Sequence, residues 1–183
     1  MKILKIIAVI VVFGSITQSL AQSKFSTRSG TLEFEASMPS FEEVKAVNAE
    51  VSAILNTETG EFATLALLKA FRFKVALMEE HFNENYIESS KYPKTTFKGK
   101  ITNFDASVLT GTPMKFNVQG VLQLHGVDKD IETSVLISRE GEQIILDSQF
   151  ELSPKDFNIK IPKIVRSKIA ETVLVTAKYS LSN

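Results

Sequence analysis

An all-β fold is what this sequence predicts: an antiparallel barrel of about eight strands with one short inserted helix. Three observations carry that expectation. Apolar and polar residues alternate at a period of two along most of the chain, the mark of strands with one buried face. The alternating runs are joined by turns, and no strand–helix–strand repeat appears, so a parallel sheet is not expected. The apolar faces are large and one-sided, which favours a sheet closed on itself, without edges, over an open two-sheet sandwich.

The N-terminus reads as a targeting segment. Lys2 and Lys5 precede the apolar run Ile6–Phe13, which is too short to span a bilayer unaided. Ser19-Leu20-Ala21 then supplies small residues at cleavage-site spacing. The expectation is a signal peptide over 1–21 and one barrel domain over 22–183, the alternative being an uncleaved anchor. No Cys lies near the cut, so no lipoprotein lipid attaches there. The chain is thus expected to be periplasmic or otherwise exported, with no integral membrane segment after cleavage. With no Cys at all it forms no disulfide, and burial and hydrogen bonding must stabilise it. The chain has 183 residues, enough for one well-buried domain, and 21 basic against 21 acidic side chains, which leaves no basic footprint for nucleic acid.

Taken in order, Thr31–Ala36 puts Leu32, Phe34 and Ala36 on one face. Ser40 is placed to cap a short helical turn over 41–44. Val47, Ala49, Val51, Ala53 and Leu55 share a face opposite Asn48, Glu50 and Ser52, and Asn56–Gly60 turns the chain into Phe62–Leu67. A strand is expected to about Phe73 and a short helix over 75–82, ended by Asn83 and Asn85, which tolerate left-handed backbone. Pro93 precedes the next strand, in which Phe97, Gly99 and Ile101 align. Met114–Leu124 alternates most plainly, with Gly120 in mid-strand suggesting a bend. His125–Lys129 is a tight turn. Ile131–Ile137, Ile144–Leu152 and Thr172–Leu181 complete the alternating strands, with a proline-containing loop from Ser153 to Ile164.

Three stretches carry a resemblance: HFNENYIESSKYPKTTFKG at 81–99, VQGVLQLHGVDKDIE at 118–132 and FELSPKDFNIKIP at 150–162. In this order and spacing the chain resembles the YceI-like family of exported lipid-binding proteins. The likeness is good from about 80 onward and poor before it. The family's His-Ser pair ahead of the first barrel strand is replaced here by Thr27-Arg28-Ser29-Gly30-Thr31. The resemblance implies a lipocalin-like barrel with an elongated apolar cavity for polyisoprenoid chains, no catalytic residues and no cofactor. Proteins of this look are commonly homodimers, although nothing in the sequence marks an interface.

The residues expected to line such a cavity are Phe34, Phe73, Met78, Phe82, Tyr86, Phe97, Phe116 and Leu122. The expected function is a non-catalytic binding or carrier protein for a long isoprenoid or other lipid ligand. The competing expectation is a ligand-free structural or interaction module of the cell envelope. Small barrels either fill with side chains or hold one ligand, and inward alternation alone does not choose between them.

Other constellations are thinner. His81 and Glu84 share a helix face and offer two metal ligands, but the chain has two His and no Cys. The plain reading is a His hydrogen-bonded near a helix end, and no metal site is expected. His125, before Gly126, is either a general base or a ring that pins its turn; no nucleophile surrounds it. Asp156 reads as a cap for nearby amides, with Phe157 and Ile159 plugging a barrel end. Lys160, Lys163, Arg166 and Lys168 form either a solvated loop or a rim for an anionic head group. No nucleophile elbow or phosphate loop occurs, so an enzyme is not expected.

Overall fold

The computed structural model describes residues 23–183; the expected signal peptide lies outside them. The elements are β1 (Lys24–Ser37), β2 (Lys45–Asn56), β3 (Glu61–Leu67), the two-residue β4 (Arg72–Phe73), α1 (Ala76–His81), β5 (Lys94–Ile101), β6 (Met114–Leu124), β7 (Val127–Glu140), β8 (Gln143–Leu152) and β9 (Ile169–Leu181). Pairing is antiparallel throughout, in the order β1-β9-β8-β7-β6-β5-β3-β2, and β2 returns to β1. Eight strands therefore close into a barrel, while β4 only extends the pairing of β2.

Antiparallel order sorts the connections between two ends. One end holds the links 57–60, 102–113 and 141–142, together with Lys24 and Leu181. The other holds 38–44, 68–93, the His125-Gly126 hairpin and 153–168. The first end is filled: Phe25, Leu55, Ile137, Ile144 and Leu181 are buried there in the larger core cluster, and Leu109, with Phe104, packs in from the 102–113 link. The second end carries a smaller cluster around Ala46, Leu68, Phe71 and Ile87.

The inward faces of β5 to β9 are those the alternation predicts, with Val118, Val135, Leu146, Ala177 and Tyr179 buried. Gly99 and Gly120 face each other across β5 and β6. A Cβ on Gly120 would run into the Lys98 carbonyl, so two strands approach here at a distance only glycine permits.

Four local expectations are corrected. β1 begins well before Thr31, because its first half pairs with the far end of β2. In β2 the face changes partway. Gly30 pairs with Val51 but Leu32 pairs with Asn48, so β2 carries a bulge. Ala46 and Asn48 face in before it, and Val51, Ala53 and Leu55 after it; Val47 and Ala49 do not share the inward face. The buried Asn48 amide donates to the Leu67 carbonyl (2.9 Å), and its oxygen accepts from the Glu50 N–H (2.8 Å), which satisfies the bulge. Residues 41–44 form no helix, and Ser40 adopts a left-handed φ of 72°. Finally, β3 stops at Leu67, and the helix does not end at Asn83: it runs on as a single π turn, Phe82–Tyr86. Asn83 donates to the Glu79 carbonyl (2.8 Å) inside that turn, and the left-handed residue is Glu88.

Candidate functional site

Above the filled end the barrel encloses a cavity of about 480 Å³. Its floor is Phe62, Ile101, Val118, Leu146 and Tyr179, which also cap the lower core. Its mouth lies among the loops of the other end, at Phe41, Glu42, His81, Val165 and Lys168. A large apolar wall with small inward residues at Ala36, Ala66 and Ala177 leaves the lumen incompletely filled.

The wall is built around four phenylalanines. The Phe34 ring, from β1, lies 5.4 Å from Phe71, 5.7 Å from Phe73 and 5.3 Å from Phe82. Phe82 also meets Phe73 at 5.2 Å and Phe71 at 5.9 Å. Tilted and edge-on contacts at these distances suit the ring quadrupoles. Met78, Phe82 and Tyr86 come from the helical segment at four-residue steps, so one side of it faces the lumen. Glu79 fastens this segment to β4, accepting from Arg72 (2.9 Å) and from the Phe73 N–H (3.1 Å).

Polar side chains inside are few beside the apolar ones, and Ser148 and Tyr179 among them are hydrogen-bonded. Ser148 donates to the Ser134 carbonyl at 2.8 Å. Tyr179 is bonded to the Thr64 side chain, and burial pushes its phenol up to about 12, so the floor is neutral across the physiological range. Burial also raises the Tyr86 phenol. The remaining ionisable groups bordering the cavity are Glu33, Glu42, His81 and Lys168. Glu33 is already paired with Lys45 at 2.7 Å.

His125 holds the upper end together. Its Nδ1 lies 2.9 Å from the Phe157 carbonyl and its Nε2 2.9 Å from a Glu88 carboxylate oxygen, while the ring packs on Tyr92 at 4.5 Å. The hairpin, the 153–168 segment and the 68–93 segment are thereby joined through one buried ring. A backbone carbonyl, a carboxylate and an aromatic ring hold it, so its place is that of a pin. Phe157, which it positions, is 1% exposed and lines the cavity.

Seven of the eight residues expected at the cavity border it: Phe34, Phe73, Met78, Phe82, Tyr86, Phe97 and Leu122. Phe116 does not. It packs on Phe104 (5.7 Å) toward the filled end, because β6 climbs from there and only its later inward residues reach the hollow. Alternation assigned Phe116 its face but not its depth. Phe71, Leu68, Ile161 and Val165 line the cavity without having been expected; they sit in irregular segments, where period two has no meaning. Phe157 and Ile159 do reach this end, but Asp156 does not cap amides: its carboxylate pairs with Lys129. His81 and Glu84 are exposed on the helical segment. Among the described residues no cluster of three or more His, Cys, Asp or Glu is disposed to hold a metal.

The molecule is thus a lipocalin-like barrel, stoppered at one end and hollow and apolar toward the other. More particularly, the chain belongs to the YceI-like domain family, whose model matches residues 11–181. Its fold is similar to that of a polyisoprenoid-binding domain from Saccharophagus degradans implicated in plant cell wall breakdown, with a TM-score of 0.74 at 18% identity over 87% of this chain and 98% of that one. It is also similar to Burkholderia cenocepacia BcnA (TM-score 0.68, 15% identity, 84% of this chain and 96% of that one). The Campylobacter jejuni YceI protein matches with a TM-score of 0.59 at 16% identity, over 78% of this chain and 88% of that one. No curated protein sequence matches the chain. At these identities the solved structures speak to the fold.

Proposed function

We propose that this protein is an exported, non-catalytic carrier for a long apolar lipid of the isoprenoid type, held in the barrel. The observation that carries the reading is the cavity of about 480 Å³ with its phenylalanine wall and neutral floor. Burying about ten methylene equivalents there gains roughly 8 kcal/mol at 0.8 kcal/mol each, the main favourable term against the cost of association, and a longer buried chain gains in proportion. The polyisoprenoid-binding domain among its structural neighbours points to the same ligand class. Export is supported by the Lys-led apolar N-terminus with its small-residue site. The absence of a catalytic role is supported by the pinned His125 and by a lumen that is mostly apolar, with Ser148 bonded to backbone. The seven cavity-lining residues expected from sequence are the proposed ligand contacts, with Phe71 and Phe157 added.

Native mass spectrometry tests this. Delipidated protein incubated with a prenyl quinone or a prenyl alcohol, delivered from cyclodextrin, is expected to retain one molecule per chain. An unchanged apo mass with both ligands would overturn the reading.

A further inference from the structure

The mouth of the cavity has two unlike lips. One is the 153–168 segment, in which Lys160, Lys163, Arg166 and Lys168 are all exposed. Among the described residues none of these four has a carboxylate partner; Arg166 only donates to the Ile161 carbonyl at 3.5 Å. In their midst Ile164 is 85% exposed, the most exposed large hydrophobic among the described residues. Its neighbours Ile161 and Val165, by contrast, line the cavity. The other lip, 38–44, carries the exposed Phe41 beside Glu42 and Glu43.

A single exposed isoleucine is ordinary, but one ringed by four exposed cations without carboxylate partners combines an apolar tip with positive charge on one strap. Anionic lipid satisfies both parts: phosphates take the cations, and the interface takes the side chain. We propose that the Lys160–Lys168 strap is a docking surface for an anionic phospholipid bilayer, with Ile164 as its inserted tip. The acidic lip, repelled by the same surface, tilts away, so the barrel meets the membrane strap-first and the mouth opens beside the lipid. The inference gives the proposed carrier a route for its cargo and to that extent rests on the carrier reading. The geometry of the strap stands apart from it.

Flotation of the purified protein with vesicles tests the proposal. Vesicles of phosphatidylglycerol and phosphatidylethanolamine are compared with vesicles of phosphatidylcholine alone, at low and at high salt. Wild type is expected to float with the anionic vesicles at low salt only, since exposed charge is screened by salt. Each strap cation is worth about a fivefold change in partition, so K163E/R166E is expected to lower binding by about twentyfold or more. I164S, which removes the tip and touches no core, is expected to lower it by about tenfold. E43K, on the same lip but outside the cavity lining, is expected to raise it. Thermal unfolding of each variant confirms the fold, and prenyl-alcohol loading from cyclodextrin, which needs no membrane, is expected to match wild type. Wild type that ignores anionic vesicles, or folded strap variants that float as wild type does, would overturn the docking surface. Normal flotation with no loading from cyclodextrin would support the docking surface and sink the carrier reading instead.

Discussion

Replacing Phe34 by Ala probes the cavity wall at its centre. The ring touches three others at 5.3–5.7 Å. Deleting a core phenylalanine costs about 3–5 kcal/mol, of which part is the void left behind. Here the ring already borders a hollow, so little new void forms, and the lower end applies. The transfer of the side chain supplies about 2–3 kcal/mol and the lost ring pairs most of the remainder. We expect about 3 kcal/mol, read as a fall in Tm of roughly 6–12 °C for a domain of this size. Phe34→Leu, which keeps an apolar body but loses the quadrupole contacts, is expected to cost about 1 kcal/mol. The assay is thermal and guanidinium unfolding followed by circular dichroism, with and without a prenyl alcohol. Phe116→Ala is the matched control: it destabilises the filled end but leaves lipid uptake unchanged, whereas Phe34→Ala alters uptake. A Phe34→Ala protein that melts within about 2 °C of wild type, or one whose uptake follows that of Phe116→Ala, would refute the wall as described.

Two further outcomes follow from the geometry. His125→Ala leaves the buried Phe157 carbonyl without its donor and frees Glu88, and is expected to cost about 1–3 kcal/mol; hydrogen exchange measured by mass spectrometry is expected to rise in 153–168 and 82–92 before the strands respond. Tyr179 makes stability fall at high pH. Its folded phenol titrates near 12 while an unfolded one titrates near 10, so the unfolded chain loses its proton first. The contribution is whole below pH 10 and is lost as pH rises toward 12, about 2–3 kcal/mol in all, and Tyr179→Phe is expected to flatten that limb in denaturant titrations against pH.

The resemblance to the YceI-like family rested on residues after 80, and those same stretches form the upper end: Tyr92 under His125, Gly126 in the hairpin, Phe157 below the strap. What period two could not convey was a break in itself. The bulge in β2 reverses which residues face inward, and it shows only in the pairing with β1, between Gly30–Val51 and Leu32–Asn48, not in the residues of β2 alone. The π turn was equally hidden, because it is held by Asn83 folding back on Glu79 and by packing on β1 and β4.

Local chemistry determined most strands, the inward faces of β5 to β9 and the apolar character of the lumen, since each follows from residues close together in the chain. Depth was decided only by the closed barrel. Which inward residues make the stopper and which surround the hollow depends on where eight strands begin and end relative to one another, so Phe116 and Leu122, alike in sequence, part company in space. The same closure brought 38–44, 68–93 and 153–168 to one mouth, a convergence that long-range pairing alone produces.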